Sequence, residues 1–346
     1  MHMSADDPPE SLIRVTLGSE SATILDWRAE PIAYVAYLPG RSLVRFTGRA
    51  WVDGREVPWS LVRKRMSSGD PGAREALAYR AVLGELRGEL RAPRALVTAD
   101  EGGATLWLED VKDAYDHQWS LAEYARAARA LGSFNGAYLI PGAIPAVSWL
   151  ARDWIDNHSE PGKIGQALEE VQAFATSPVV RQVFPEAGDA RGLLEDQPRW
   201  AAVLAQLPPT LCHHDASKAN LVLRRDRAGG LETVAVDWEA IGHGVPGADL
   251  ATFVVGTMRR GEFPAERAAE LDQVAFDAYV EGLHGSGARG ELPRVRLGYA
   301  AAVSLRWSIV AQTLRALAEP RLVPQMIALS RFVLDRAALA RRLAPA

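Results

Sequence analysis

The order of apolar and polar positions changes character about a third of the way along the chain. Residues 32 to 38 (IAYVAYL) and 42 to 52 (SLVRFTGRAWV) are rich in β-branched and aromatic residues and flank Pro39-Gly40-Arg41, which predicts a hairpin. A third strand is expected at 59 to 66 (WSLVRKRM) after the turn signal Asp53-Gly54, and two shorter ones near 94 to 99 and 104 to 109, split by Glu101-Gly102-Gly103. Between them the apolar positions of REALAYRAVL predict one long helix. From residue 112 the period is helical. Ser120 and Glu123 have capping-box spacing for a helix reaching 138, and further helices are expected over 147–157, 163–175, 192–206, 263–283, 294–317 and 321–342. The exception is 219–238, where ANLVL and TVAVDW read as a small inserted hairpin. The expected fold is α+β with two lobes: residues 1–111, a mainly antiparallel sheet with the long helix, and residues 112–346, mainly helical. The first dozen residues are expected to be poorly ordered.

Composition agrees with two lobes, because 346 residues exceed the size at which single cores usually stop growing. A net charge of −4 with no basic run leaves no electrostatic footprint for nucleic acid and favours a small-molecule or protein partner. Cys212 is the one cysteine, so no internal disulfide forms, and a cytoplasmic location is the plain expectation. The N-terminus has no signal-peptide pattern, and the most apolar late segment, Leu297 to Ala318, is interrupted by Arg306 and Arg315, so no membrane span is expected. Only four lysines are present, so each carries more information than an arginine.

One stretch, LCHHDASKANLVL at 211 to 223, admits three chemistries: metal ligation, a proton-transfer dyad, or the loop of a phosphotransferase. Its His213-x-Asp215 is followed by Asn220, and Asp237 closes an apolar strand 17 residues later, the order protein kinases use. Phosphoryl transfer needs a carboxylate to orient the attacking hydroxyl and accept its proton, a role for Asp215. It also needs hard oxygen ligands for magnesium, a role for Asn220 and Asp237. The same chemistry calls for a strand lysine paired with a helix glutamate to grip phosphates. Lys64 shares a strand face with Val62 and Met66, and Glu75 opens the next helix, with Glu85 as the alternative partner.

With LCHHDASKANLVL, VAVDWEAIG, WSLVRKRM, REALAYRAVL and VPGADLA, the chain resembles, over most of residues 32 to 258, the aminoglycoside phosphotransferase family, small-molecule kinases of protein-kinase-like fold. The resemblance implies an ATP or GTP donor with Mg2+ and a small-molecule hydroxyl acceptor. It implies that Asp249 braces the catalytic loop, that His213 is structural, and that the hinge LWLEDV presents the backbone of Glu109, Asp110 and Val111 to the nucleobase. Two departures stand out. His214 replaces a frequent glycine, which argues that the backbone there needs no glycine-only conformation. The hairpin LPGRSLV is no glycine-rich loop, which leaves Ser42 as a candidate phosphate contact.

Rival readings are weaker. Gly242 to Gly247 spells G-x-G-x-x-G but lacks a βαβ setting, adjacent His213, His214 and Asp215 converge poorly on one ion, and G-x-S-x-G is absent. The non-enzyme alternative is a kinase-like nucleotide-binding protein without catalysis, against which Lys64, Asp215, Asn220 and Asp237 stand together. Trp149, Trp154 and Trp307 are expected in the core, and Asp153 and Asp156 fit either a cationic substrate or a solvated face. The acceptor is not legible: an antibiotic, a nucleoside, a sugar and a choline-like metabolite all remain open, and with them resistance or metabolism.

Overall fold

The alternation read in the second and third strands becomes the two faces of one sheet. In the computed structural model of the chain, residues 7–32, 42–67, 73–100, 103–226, 228–288, 291–319 and 323–344 are described. Strands β1 (Thr23–Pro31), β2 (Ser42–Val52), β3 (Arg55–Ser67), β5 (Ala95–Asp100) and β6 (Gly103–Glu109) form an antiparallel sheet in the order β1-β2-β3-β6-β5. Asp53 and Gly54 join β2 to β3 with φ of 48° and 83°, the two positive values of a type I′ hairpin. Trp59 and Leu61 of β3 face one side, where Phe46 and Trp107 pack with Leu12 and Ile13 of α1 (Glu10–Leu17). Met66 faces the other side, against Leu106, Leu108 and Ala76 of α2 (Ala73–Ala81). Burying each such side chain is worth about 1.5–3 kcal/mol, enough to fix the register. The two-residue period therefore places Lys64 on the α2 side.

The first lobe differs from expectation in three places. The helix after β3 spans nine residues and ends where Val82 takes φ −133°, with a 3-10 turn, Leu83–Glu85, behind it. Strand β1 has no alternation to read, because both its faces are largely exposed, Leu25 and Trp27 included. Helix α1 begins inside the first dozen residues and is held by its buried Leu12 and Ile13. The Pro39-Gly40-Arg41 hairpin, most of the strand expected at 32–38, and Glu101 and Gly102 lie outside the described residues.

The short β4 (Leu90–Arg91) leaves the first sheet and pairs in parallel with β9 (Leu231–Ala235), which forms the expected hairpin with β8 (Leu221–Arg225). A second small pair, β7 (Thr210–Cys212) with β10 (Gly242–Gly244), is antiparallel, so the G-x-G-x-x-G run is not a dinucleotide turn. Helix α3 (Leu121–Ala137) starts with the Ser120–Glu123 capping box and packs on α10 (Ala268–Gly285). A Cβ on Gly132 would lie 1.9 Å from the Tyr279 carbonyl oxygen, so only glycine permits this approach. Around this pair stand α4 (Trp154–His158), α5 (Pro161–Ala175), α6 (Pro178–Val183), α7 (Ala190–Glu195), α8 (Gln197–Ala205), α9 (Ala248–Arg259), α11 (Leu292–Ser304), α12 (Trp307–Ala318) and α13 (Pro324–Leu343). Three expected helices are thus shorter or split. Only Trp154–His158 is helical within 147–157, 192–206 breaks at Asp196, and 294–317 breaks at Leu305-Arg306. No described helix is long and apolar enough to cross a membrane.

Candidate active site

The cleft between the sheet and the helical part, of about 700 Å³, receives Lys64 from β3 and Glu75 from α2. Lys64 Nζ donates to Glu75 Oε2 at 2.6 Å and to Asp237 Oδ1 at 2.8 Å. Glu75 is only 1% exposed, and its other oxygen accepts the Trp238 backbone N–H at 3.2 Å. One buried carboxylate therefore positions both the lysine and the segment after β9. Burial alone would lower the Lys64 ammonium, but the charges of Glu75 and Asp237 outweigh it and hold its pKa above the usual value. Glu85 is exposed on the 3-10 turn and plays no part in this pairing.

The loop between β7 and β8 is built on Asp249, which α9 carries at 0% exposure. Its oxygens accept the backbone N–H groups of His213 at 2.9 Å and His214 at 2.8 Å, and the Asn135 side chain at 2.9 Å. Asn135 is held in turn by Tyr279, whose hydroxyl meets Asn135 Oδ1 at 2.7 Å. His213 Nε2 donates to the Val236 carbonyl at 3.0 Å, so its Nδ1 accepts the Asp215 backbone N–H at 3.2 Å. Asn220 Nδ2 reaches both the Asp215 carbonyl (2.8 Å) and Oδ2 (2.7 Å). Two acceptors fix which end of the amide is nitrogen and leave Oδ1 for the cleft, which Asn220 lines with Asp237. Burial, with the Asp237 charge, raises the Asp215 pKa above its ordinary value, against His213, the Arg260 charge and the Asn220 hydrogen bond.

His214 departs from expectation. Its φ is 66°, in the left-handed region that favours glycine, so the loop does need that conformation and the histidine adopts it. Compensation comes from the Asp249 bond, from the ring's stacking on Trp154, and from Nε2 donating to the His243 carbonyl at 2.9 Å. Cys212, His214 and Asp249 offer ligand atoms within 4.8 Å of one another. Both Asp249 oxygens are already committed to N–H donors, so this cluster is a hydrogen-bonded brace.

Ser42, Glu109, Asp110 and Val111 all line the cleft. The acid side chains of the hinge are committed elsewhere: Glu109 pairs with Arg224 at 2.8 Å and Asp110 with Arg45 at 2.9 Å. Trp149, Trp154 and Trp307 are half-buried against the main core, while Asp153 and Asp156 are exposed. Several site residues carried no sequence signal. Arg74 donates to the carbonyls of Trp149 (2.9 Å) and Glu239 (3.1 Å), and the Glu239 carboxylate stands 3.9 Å from Lys64. Beyond Asp215 lies a second cavity of about 440 Å³, lined by Arg259, Arg260, Arg306 and His158. The acid two residues after Asp237, Glu239 in DWEAIG, was the one available clue.

The backbone as a whole is similar to an aminoglycoside phosphotransferase from Alicyclobacillus acidocaldarius, at 15% identity, TM-score 0.54, and 99% and 96% coverage of this chain and that one. Weaker likenesses are to an amicoumacin kinase in complex with AMP-PNP and Ca2+ (13%, TM-score 0.48, 94% and 90%) and to an aminoglycoside phosphotransferase from Streptomyces rimosus (18%, 0.44, 86% and 97%). No curated protein matches the chain in sequence. The model of the phosphotransferase enzyme family matches residues 46–285, which include Lys64, the Asp215–Asn220 loop, Asp237 and Asp249, and the chain belongs to that family, the aminoglycoside phosphotransferase family of kinase-like enzymes.

Proposed function

We propose that this phosphotransferase moves the γ-phosphoryl group of ATP or GTP to a hydroxyl of a small molecule, with Asp215 as the base. The observation that carries the reading is the 2.7 Å bond between Asp215 and Asn220, because Asn220 lines the interlobe cleft and Asp215 lines the second cavity. Donor and acceptor would meet at that bond. Residues 1–111 form the nucleotide-binding lobe, and 112–346 carry the catalytic loop and the acceptor site. The backbone of Glu109, Asp110 and Val111 faces the nucleobase, since the acid side chains are tied to arginines, and Ser42 closes the cleft over the phosphates.

Asn220 Oδ1 and the Asp237 carboxylate are hard oxygen donors, the set magnesium prefers. Bound there, magnesium supplies neutralisation of phosphate charge. The chain's own residues do the rest. Lys64, steered by Glu75, donates to phosphate oxygens. Asp215 accepts a hydrogen bond from the acceptor hydroxyl and takes its proton as the new oxygen–phosphorus bond forms. The bond from the γ-phosphorus to the bridging oxygen breaks and leaves the nucleoside diphosphate. His213 and Asp249 hold the loop without touching substrate. Little covalent work falls to the protein, so positioning and electrostatics dominate. Incubation with γ-labelled ATP and GTP and a panel of hydroxyl compounds tests this. Label is expected on an acceptor with the wild type and nearly none with Asp215→Asn, and wild-type transfer by Asp215→Asn overturns the assignment.

A further inference from the structure

The second cavity has the wrong charge for a cationic acceptor. Its wall is made by Thr252, Val255, Gly256 and Arg259 of α9 with Arg260 behind it, by Ser308 and Ile309 of α12, by His158 of α4 and by Ser217 of the loop. Among its lining residues Asp215 is the one carboxylate, against three arginines. None of the three has a carboxylate within ion-pair distance among the described residues, although this chain pairs arginines readily elsewhere, as at Arg336–Asp272 and Arg341–Asp196.

Arg306 is the most constrained of the three. The break between α11 and α12 at Leu305-Arg306 turns it into the cavity. Its Nη1 meets His158 Nε2 at 2.6 Å and its Nη2 meets Thr252 Oγ1 at 2.7 Å, both neutral acceptors, while Nε is buried without a partner. His158 Nδ1 lies 2.8 Å from the Trp154 carbonyl and donates to it, which leaves the Nε2 lone pair for Arg306. Burial and the Arg306 charge push the His158 pKa down to about 4, so the ring stays neutral. Burial pushes Arg306 down to about 10, opposed by Asp215, so the guanidinium stays charged at neutral pH. A half-buried guanidinium given only neutral hydrogen-bond acceptors is incompletely compensated, and its fork of donors suits a carboxylate or phosphate. Arg259 and Arg260, both exposed, extend the positive surface to the mouth.

We propose that the acceptor is an anionic small molecule, carrying a carboxylate or phosphate group held by Arg306, Arg259 and Arg260 in addition to the hydroxyl presented to Asp215. This rests on the phosphotransferase reading for the hydroxyl's fate but not for the anion's binding. Polycationic amino sugars and quaternary amines would set their charges against three guanidiniums, and the acids that might balance them, Asp153 and Asp156, do not line the cavity.

The test saturates the cleft with magnesium and a non-transferable ATP analogue, so that anions do not bind there, and titrates the full chain calorimetrically. Four sets of hydroxyl compounds are compared: hydroxy acids, sugar phosphates, the neutral sugars of the same skeleton, and amino-sugar or choline-like cations. An anion of one of the first two sets is expected to bind at least tenfold more tightly than its neutral counterpart, and which set wins identifies the anionic group. Arg259→Ala at the exposed mouth, and Arg306→Gln if its melting curve is wild type, should each weaken that binding about tenfold and leave nucleotide affinity unchanged. Equal or tighter binding of neutral or cationic compounds, or binding by no anion of either set, overturns the proposal. Turnover separates the two readings. Phosphoryl transfer to a neutral or cationic acceptor sinks the anionic acceptor alone, whereas a bound anion that never receives phosphate from ATP or GTP sinks the phosphotransfer reading.

Discussion

On the cleft side of the Asp215–Asn220 bond, every charge identified from the sequence has an opposite charge against it: Lys64 lies between Glu75 and Asp237, Arg224 meets Glu109, and Arg45 meets Asp110. On the far side, three arginines line the cavity without an ion pair among the described residues: Asp215 is the one carboxylate in the lining, and Glu262, whose charge Arg260 feels, stands outside it. The difference separates two kinds of site. The cleft side is preorganised and internally balanced, so its residues also hold the fold together. The far side is left electrostatically open, so its residues should matter to a ligand more than to stability.

The sharpest way to break this comparison is Asp215→Asn. Loss of the proposed base is expected to lower kcat about 10³-fold, within the usual range for general-base catalysis, with nucleotide affinity kept. Because folding raises the Asp215 pKa, the ionised side chain opposes folding above its ordinary value near 3.8 and favours it only when protonated. The same variant should therefore melt at or above the wild-type temperature. A crippled enzyme with a lowered Tm would place Asp215 among the structural residues. The pH profile follows the same sign: kcat/KM should fall as the solution is acidified, with the limb lying above the ordinary aspartate value, and Asp215→Asn should flatten that limb.

Next in size is Lys64→Met, which leaves Glu75 buried beside Asp237 without a cation. Breaking such a pair costs about 3 kcal/mol, measurable in urea, and affinity for magnesium nucleotide should fall with it. The Lys64 pKa is raised, so its stabilisation is complete below the ordinary lysine value of 10.5 and fades only above it as pH rises through the higher folded value. In Lys64→Met the Glu75 carboxyl, already raised by burial, loses the cation that opposed that rise and takes up a proton more readily, so the stability difference from wild type should shrink as the solution is acidified. An Arg259→Ala protein that loses as much stability as Lys64→Met would erase the contrast between the two sides.

That contrast also decides what could be read from the sequence. Lys64, Glu75, Asp215, Asn220 and Asp237 were legible because phosphoryl transfer fixes both their types and their order, and the strand period fixes the face of Lys64. The fold class followed from the change of period, and the Asp53-Gly54 turn from the need for positive φ at two adjacent positions. Strand β1 was hidden because neither face is buried. The break at Leu305-Arg306 was hidden because the apolar period runs through it from α11 into α12. Arginine is common in this chain, and Arg306 is far in sequence from the adjacent Arg259 and Arg260 at the end of α9, so only the packing of α9 against α11 brings the three together. At His214 residue type does not reveal the backbone conformation, because a hydrogen bond to Asp249 and stacking on Trp154 allow a histidine to occupy a left-handed position.

The smallest effect is expected at His158, and it tests whether the open side is built or incidental. The ring touches Arg306 through one hydrogen bond, from Nη1 to the neutral Nε2, and Trp307 Nε1 donates to its carbonyl at 2.8 Å without using the side chain. His158→Ala should free Arg306 to swing, at a loss of about 1 kcal/mol in acceptor binding, or roughly fivefold in acceptor KM, with kcat and nucleotide KM unchanged. The depressed pKa gives a second readout. The folded ring resists protonation down to about 4 while the unfolded ring takes a proton near 6.5, so this histidine's contribution to stability is complete above 6.5 and lost as pH falls from there toward 4. His158→Ala should lose less stability than the wild type over that interval. If acceptor KM rises and the acid sensitivity drops together, His158 orients Arg306 for a ligand. If the acid sensitivity drops and acceptor KM does not move, the histidine only fills space between α4 and α12.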